Sequence, residues 1–237
     1  MDLSKYDEKY VQLTDIYGET LTGIAVYDSA GYCFHEYGIE EDALRIGDCL
    51  IYKSQIASLE EIEPHGSAEI WTERLILRRY RLEDASALYE EFGKDEEMHR
   101  YSGWNPYATP EMAEETVRRF IAGYDEEHFY AWVMDFEDVL FDTIGAYDYK
   151  GDSIEVGLSV AKACWGRGYA TEALQAVLHH LTENERIPCV TAWCASENIG
   201  SQRAMEKAGM KLARIEKDGL NVGDETYDKL FYEYKKG

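Results

Sequence analysis

Alternation of apolar and polar residues predicts short β-strands in the first part of the chain. Strands are indicated at 11–28, as a hairpin turning at Gly18 and Glu19, at Tyr32–Phe34, and within 46–63. The segment Glu40–Arg45 is predicted to form a short helical turn. The breaker residues Pro-His-Gly-Ser at 64–67 indicate a linker. We therefore predict a small all-β domain at 1–64.

The rest of the chain alternates between strand and helix periodicity. Strands are predicted at 74–80, 129–136, 142–149, 153–160, 189–194, 211–217 and 226–234, and helices at 82–93, 110–122, 171–184 and 201–209. Thr109 before Pro110 is typical of a helix start. This order predicts an α/β domain at 68–237, with one mixed, mostly antiparallel sheet flanked by helices.

Composition narrows the classes of function. The six His and five Cys are scattered without metal-ligand or Cys-x-x-Cys spacing, so no metal site is expected and the thiols are expected to be reduced. No apolar run approaches the roughly 18 residues of a membrane span, and the first residues lack the apolar segment of a secretory signal. A cytoplasmic protein that does not enter membranes is expected.

The net charge of −23 opposes binding to nucleic-acid phosphates and would attract cationic substrates. The same net charge is also explained by an acidic, solvated surface with no role in binding. The first 65 residues carry 14 acidic and 4 basic residues, a net charge of −10. Direct nucleic-acid binding is therefore not expected.

The segment 165–173 carries the most specific chemical signal. It follows a predicted strand, opens a predicted helix and reads Trp165-Gly166-Arg167-Gly168-Tyr169-Ala170-Thr171-Glu172-Ala173. Two glycines permit a tight turn, and the N–H groups of a helix N-terminus can bind phosphate without a particular side chain. Arg167 could add a cationic contact.

Other interpretations of this segment remain open. It could be a glycine-rich connection that binds nothing. A dinucleotide site is disfavoured because Thr171 occupies the third glycine position and the preceding strands read as hairpins. A P-loop is excluded because the segment lacks Gly-Lys-Ser/Thr.

Three motifs in the same order resemble the GNAT superfamily of N-acetyltransferases, and most closely its ribosomal-protein-acetylating branch. Trp165-x-x-Gly168-x-Ala170 is similar to the acetyl-CoA loop, with Trp in place of the usual Gln or Arg. The segments TERLILRRYRLEDA (72–85) and ENIGSQRAMEKAGM (197–210) resemble the opening and closing motifs of that branch. The resemblance implies acetyl-CoA as cosubstrate and a primary amine as acceptor: a protein N-terminus, a polyamine or another small amine.

The resemblance also implies roles for individual residues. Backbone groups of Leu158, Ser159 and Val160 would bind the pantetheine arm, and the N–H groups of Gly166 to Thr171 the pyrophosphate. Asn198 would lie near the pantetheine, and Ser201 near the thioester sulfur, where it could protonate the leaving thiolate. Alternatively, Asn198 or Ser201 simply caps the helix that follows.

The substrate amine must lose a proton, and a carboxylate is the usual acceptor of that proton. Glu155 is the leading candidate base and Asp148 the reserve, although the resemblance places the family carboxylate nearer position 154. Glu155 could instead be a solvated charge at a strand edge.

The acceptor pocket is expected at 94–108 and 218–226. Tyr101, Trp104 and Tyr107 would wall it, and Glu96 and Glu97 would add negative charge, unless the aromatic rings pack beneath a surface loop.

The domain at 1–64 loosely resembles an Sm-like β-barrel and is expected to bind a protein partner or to pack. Two rival functions stay open: a non-catalytic acyl-CoA-binding or adaptor module, and an enzyme targeted to RNA or ribosomes. The oligomeric state is also open and includes a homodimer.

Overall fold

The computed structural model describes residues 1–95, 98, 100–101, 106–136, 139–222 and 225–236, without the side chains of 92 and 139–142. These residues form two compact units, Met1–His65 and Gly66–Gly237. Each unit is built around its own apolar core.

The first unit is a five-stranded antiparallel sheet. Its strands are β1 (Tyr10–Asp15), β2 (Thr20–Asp28), β3 (Ala43–Ile46), β4 (Cys49–Tyr52) and β5 (Ile56–Glu61), in the order β4-β3-β2-β1-β5. A helix, α1 (Ala30–Tyr37), connects β2 to β3, and 3-10 turns occupy Leu3–Tyr6 and Lys53–Gln55. Leu3, Val11, Leu13 and Leu44 are fully buried in its core.

Two local predictions in this unit are wrong. Tyr32–Phe34 lies in helix α1 rather than in a strand, because Ser29 caps the helix by accepting from Tyr32 N and Gly38 ends it in the left-handed region at φ 75°. Glu40–Arg45 does not form a helical turn, since Ala43–Arg45 belongs to β3. Pairing of β3 with β2 buries Leu44 in the core, which outweighs the local helical pattern.

The second unit contains an eight-stranded mixed sheet in the order β12-β13-β11-β10-β9-β8-β7-β6. The strands are β6 (Ile70–Trp71), β7 (Ile76–Arg78), β8 (Tyr130–Phe136), β9 (Val139–Lys150), β10 (Ser153–Val160), β11 (Cys189–Ala195), β12 (Lys211–Val222) and β13 (Glu225–Lys235). Neighbouring strands pair antiparallel except β10 and β11, which pair parallel. The predicted fold class is therefore confirmed.

Among the described residues, four α-helices flank this sheet: α2 (Asp84–Leu88), α3 (Pro110–Gly123), α4 (Tyr169–His179) and α5 (Ile199–Lys207). Helices α2 and α4 continue into π-helical turns at Tyr89–Gly93 and His180–Asn184. Their apolar faces pack into a core that contains Trp132, Ile154, Leu174 and Val190, all fully buried. In the part of the chain that the structure describes, no helix is both long and apolar enough to cross a membrane.

Candidate active site

A wedge-shaped opening separates β10 from β11. The parallel ladder contains the pairs Ser153–Cys189, Ile154–Val190 and Glu155–Thr191. Beyond Glu155, β10 stays paired with β9 as far as Val160, whereas β11 stays paired with β13 as far as Ala195. The two strands therefore diverge inside one continuous sheet, and their facing backbone edges can receive an extended ligand.

The segment predicted to bind pantetheine forms one wall of this wedge. The Ile154 carbonyl points towards β11, because it accepts from Thr191 Oγ1 at 3.2 Å. Backbone groups alternate in direction along a strand, so those of Leu158 point into the wedge and those of Ser159 point towards β9. The carbonyl of Val160 accepts from the Trp165 indole N–H at 2.6 Å. Of the three predicted residues, Leu158 thus presents free-edge backbone groups, and Val160 anchors the following loop.

The glycine-bearing loop adopts a shape that glycine alone favours. Gly166 and Gly168 have φ values of 74° and 87°, in the left-handed region. Helix α4 begins at Tyr169, and its backbone ladder starts with Glu172 N donating to Gly168 O at 3.1 Å. The N–H groups before Glu172 have no carbonyl four residues earlier within the helix. This end of α4 therefore carries oriented donors and the positive end of the helix dipole.

Arg74 and Glu172 brace this loop, and neither was among the predicted site residues. Arg74 Nη1 donates to the carbonyl of Arg167 at 3.0 Å, and Nη2 pairs with Glu172 Oε2 at 2.6 Å. The guanidinium also stacks 4.5 Å from the centroid of Tyr169. Thr72 Oγ1 donates to Glu172 Oε1 at 2.6 Å. The opening TERL motif therefore contacts the loop through Thr72 and Arg74. That motif is the sequence signal from which their role could have been predicted.

The pKa of Glu172 reflects this bracing. Burial disfavours its charged form, but hydrogen bonds from Thr72 and Arg74 outweigh burial and lower the pKa below its ordinary value. The ionised carboxylate is therefore part of the folded structure at neutral pH.

Glu155 is held at the point where the wedge opens. It lies on an interior strand and is half-buried, so it is not a strand-edge charge. The indole N–H of Trp193, on β11, donates to Glu155 Oε1 at 2.8 Å. Asp148, the reserve candidate, is exposed at a β-bulge with φ 56°. Burial, together with the negative charges of Glu155 and Asp148, raises the pKa of Tyr147 to about 12.

Asn198 and Ser201 occupy the start of α5. Asn198 Oδ1 accepts from Ser201 N at 3.1 Å, so Asn198 caps the helix, which begins at Ile199 rather than at 201. The Ser201 side chain lies close enough to Cys194 on β11 to influence its thiol. Burial raises the pKa of that thiol to about 12, although Ser201 opposes the shift. Cys194 is therefore a neutral thiol at neutral pH, while Ser201 lies beside β11.

The predicted acceptor segments are described in part. Trp104, Glu96 and Glu97 lie outside the described residues. Tyr101 packs edge-on against Tyr227, with ring centroids 5.4 Å apart. Tyr107 packs against Gly93 and donates its backbone N–H to the Gly93 carbonyl at 2.6 Å. Within the described residues, no group of three His, Cys, Asp or Glu is arranged to hold a metal ion.

Comparisons with known proteins agree with this geometry. The family described as acetyltransferase (GNAT) domain matches residues 74–211, more than half of the chain. The uncharacterized N-acetyltransferase YnaD of Bacillus subtilis (strain 168) is 31% identical over 169 residues, covering 69% of this chain and 94% of that protein.

Solved structures extend the comparison. A GNAT-family acetyltransferase from Bacillus anthracis is 26% identical with a TM-score of 0.64, covering 70% of this chain and 98% of that chain. RimL, the acetyltransferase of ribosomal protein L7/L12 solved with coenzyme A, is similar in fold, with 16% identity, a TM-score of 0.65, and coverage of 69% and 95%. The matched range 74–211 contains both the wedge between β10 and β11 and the glycine-bearing loop that opens α4. This chain therefore belongs to the GNAT acetyltransferase family.

Proposed function

We propose that the protein transfers the acetyl group of acetyl-CoA directly to a primary amine while both substrates are bound. The observation that carries this proposal is the wedge between β10 and β11, which leads straight to the N-terminus of α4. A free strand edge suits an amide-bearing pantetheine arm, and a helix N-terminus suits a pyrophosphate. Family membership favours this function over a non-catalytic module.

Acetyl-CoA would be held mainly by backbone groups. The edge of β10 at Leu158 would pair with the pantetheine amides, and the N–H groups from Gly166 to Thr171 would bind the pyrophosphate. The two left-handed glycines, which leave the loop backbone uncovered, support this arrangement. The side chain of Arg167 is exposed and would add a secondary contact. Structures of fold relatives were solved with coenzyme A or acetyl-CoA, which supports the same cosubstrate here.

Glu155 would take the proton that the amine loses, directly or through a water molecule, as nitrogen bonds to the thioester carbonyl carbon. The carbon–sulfur bond then breaks, and the thiolate of coenzyme A takes a proton. Ser201 would supply a hydroxyl for that step, and Asn198 would hold the start of α5 close to the arm. The hydrogen bond from Trp193, which fixes Glu155 at the opening of the wedge, supports its role.

The acceptor is a protein N-terminus, a polyamine or a small-molecule amine. The motifs resemble the branch that modifies ribosomal-protein N-termini, and RimL, which modifies L7/L12, has a similar fold. Both observations favour a protein N-terminus as the first acceptor to test.

The first unit would be an Sm-like small barrel that binds a protein partner rather than RNA. Its five antiparallel strands, with β5 returning to pair with β1, support the barrel. Its net charge of −10 supports a protein partner, since phosphate would be repelled. The five free cysteines support a reducing compartment such as the cytoplasm, where the enzyme could act as a homodimer.

Isothermal titration of the purified protein with acetyl-CoA, and with desulfo-CoA as an unreactive analogue, tests this proposal. We expect saturable binding with a Kd in the micromolar range, about −8 kcal/mol. An amine screen with detection of the released thiol then measures turnover. A folded protein that binds neither compound would refute the proposal.

A further inference from the structure

A tyrosine hydroxyl lies beside Glu155 at the opening of the wedge. Tyr147 on β9 is directly opposite Glu155, and Gly145 is opposite Gly157, so these residues share one region of the sheet. A Cβ atom added to Gly157 would lie 2.6 Å from the Tyr147 hydroxyl oxygen. The hydroxyl therefore lies over the backbone of Gly157, and any side chain at position 157 would displace it.

This hydroxyl is a neutral group with unused hydrogen-bonding capacity. Its raised pKa, caused by burial and by the charges of Glu155 and Asp148, keeps the phenol protonated at neutral pH. Among the residues that the structure describes, none hydrogen bonds to the Tyr147 hydroxyl. It is not among the buried polar atoms that lack a partner, so solvent or a ligand can reach this hydroxyl, which offers one donor and two acceptor sites.

The position of the hydroxyl relative to the wedge suggests what it binds. Glu155–Thr191 is the last pair before β10 and β11 separate, and Gly157 is the next residue of β10 on the face that carries Glu155. Trp193 holds Glu155 from the opposite wall. Two polar groups that can accept an N–H therefore lie on one face of the sheet at the edge of the wedge: the Glu155 carboxylate, and the Tyr147 hydroxyl above the neighbouring Gly157.

We propose that this edge of the wedge is the acceptor site and that Tyr147 binds the primary amine of the acceptor. The Tyr147 oxygen accepts one N–H of the amine while Glu155 accepts the N–H that is lost, which leaves the nitrogen lone pair free to attack the thioester. Tyr147 is not the base, because its neutral phenol already holds its proton. The assignment rests on the proposed acetyl transfer.

Substitution Tyr147→Phe tests the assignment with the least disturbance. Loss of one neutral hydrogen bond should lower kcat/KM for the amine by a factor of about 3 to 10, through a higher KM, a lower kcat or both. The affinity for acetyl-CoA should be unchanged. The acceptor probes are a serine-initiated peptide, spermidine and tyramine, and the probe acetylated fastest is used throughout. Tyr149→Phe is the matched control, because Tyr149 lies on the same strand but stacks on His128. This control should leave the KM for the amine and kcat unchanged.

Gly157→Ala separates the catalytic role of the hydroxyl from a structural one. The new methyl group meets the hydroxyl at 2.6 Å, whereas the next ring atom, Cζ, lies at 3.5 Å. Gly157→Ala alone should therefore lower both thermal stability and turnover. Adding Tyr147→Phe removes the close contact and should restore the thermal stability but not the turnover.

The outcomes are distinguishable. Wild-type protein that binds no acetyl-CoA, or that acetylates none of the three probes, overturns the proposed function and this assignment together. Wild-type turnover matched by Tyr147→Phe overturns the assignment alone, as does recovery of turnover in the double variant. A rise in amine KM confined to Tyr147→Phe, with normal titration of acetyl-CoA, supports both.

Discussion

Replacing Arg74 with Ala should weaken both the fold and the binding of acetyl-CoA. The substitution removes the ion pair with Glu172 at 2.6 Å, the hydrogen bond to the Arg167 carbonyl at 3.0 Å and the stacking on Tyr169 at 4.5 Å. The Arg74 side chain is 37% exposed and that of Glu172 16%, so solvent screens part of the attraction. We expect a loss of about 1–2 kcal/mol in the free energy of unfolding.

The effect on acetyl-CoA follows from the loop backbone. Without Arg74, the carbonyl of Arg167 loses its anchor between the two left-handed glycines. Ordering one loop residue again on binding costs roughly 1–2 kcal/mol, so the Kd for acetyl-CoA should rise about 5- to 30-fold. This increase reflects loop order and not a lost contact with the ligand.

Calorimetric titration and urea unfolding of two arginine variants test this reasoning. Arg79→Ala is the matched control, because Arg79 also donates to a backbone carbonyl, that of Ser67 at 3.0 Å, and stacks on a tyrosine, Tyr124 at 4.8 Å. Arg79→Ala should lose comparable stability and bind acetyl-CoA normally. Equal affinities of the wild type and Arg74→Ala would refute the bracing role, as would an equal loss of affinity in both variants.

Three further predictions concern the loop, the start of α5 and pH. Gly168→Val should abolish the calorimetric signal of acetyl-CoA binding, because φ is 87° and a Cβ would crowd Arg74 at 3.4 Å; Gly151→Val, at φ 53° in open space, should bind normally. Ser201→Ala should lower kcat without changing acetyl-CoA affinity, whereas Asn198→Ala should cost about 1 kcal/mol of unfolding free energy through the lost cap; the reverse pattern would exchange their roles. Glu172→Gln should flatten the loss of unfolding free energy below pH 4.5, since the lowered pKa makes the carboxylate stabilising above that pH and progressively less so as pH falls; parallel pH profiles of variant and wild type would contradict this.

Local signals were sufficient where a segment's structure depends on its own sequence. The strand, glycine loop and helix at 153–179 could be predicted because periodicity, two glycines and the helix start are all encoded within neighbouring residues. The same holds for α3, with Thr109 and Pro110 at its start. Helix α1 was missed, although Ser29 and Gly38 mark both of its ends, because aromatic residues two positions apart favoured a strand.

Features that depend on residues distant in sequence could not be predicted. Glu172 meets Thr72 and Arg74 about a hundred positions away, and only the sheet order brings them together. The bond between Trp193 and Glu155 likewise requires β10 and β11 to be neighbours. Residue type suggested Glu155 as a base, but its partner and the facing Tyr147 hydroxyl required the strand register.

The short ladder between β10 and β11 also divides the sheet into two antiparallel blocks, β6–β10 and β11–β13, joined through three residue pairs. A pantetheine arm bonded to the free edge of β10 at Leu158 would take the place of the missing ladder on that strand, so the cosubstrate would act as an additional, removable strand. Fold stability and substrate occupancy are then linked, at about 2.7 kcal/mol when the ligand is present at a hundred times its Kd. In such an enzyme, release of coenzyme A after each turnover would break the hydrogen bonds between ligand and strand edge, and binding of the next acetyl-CoA would form them again.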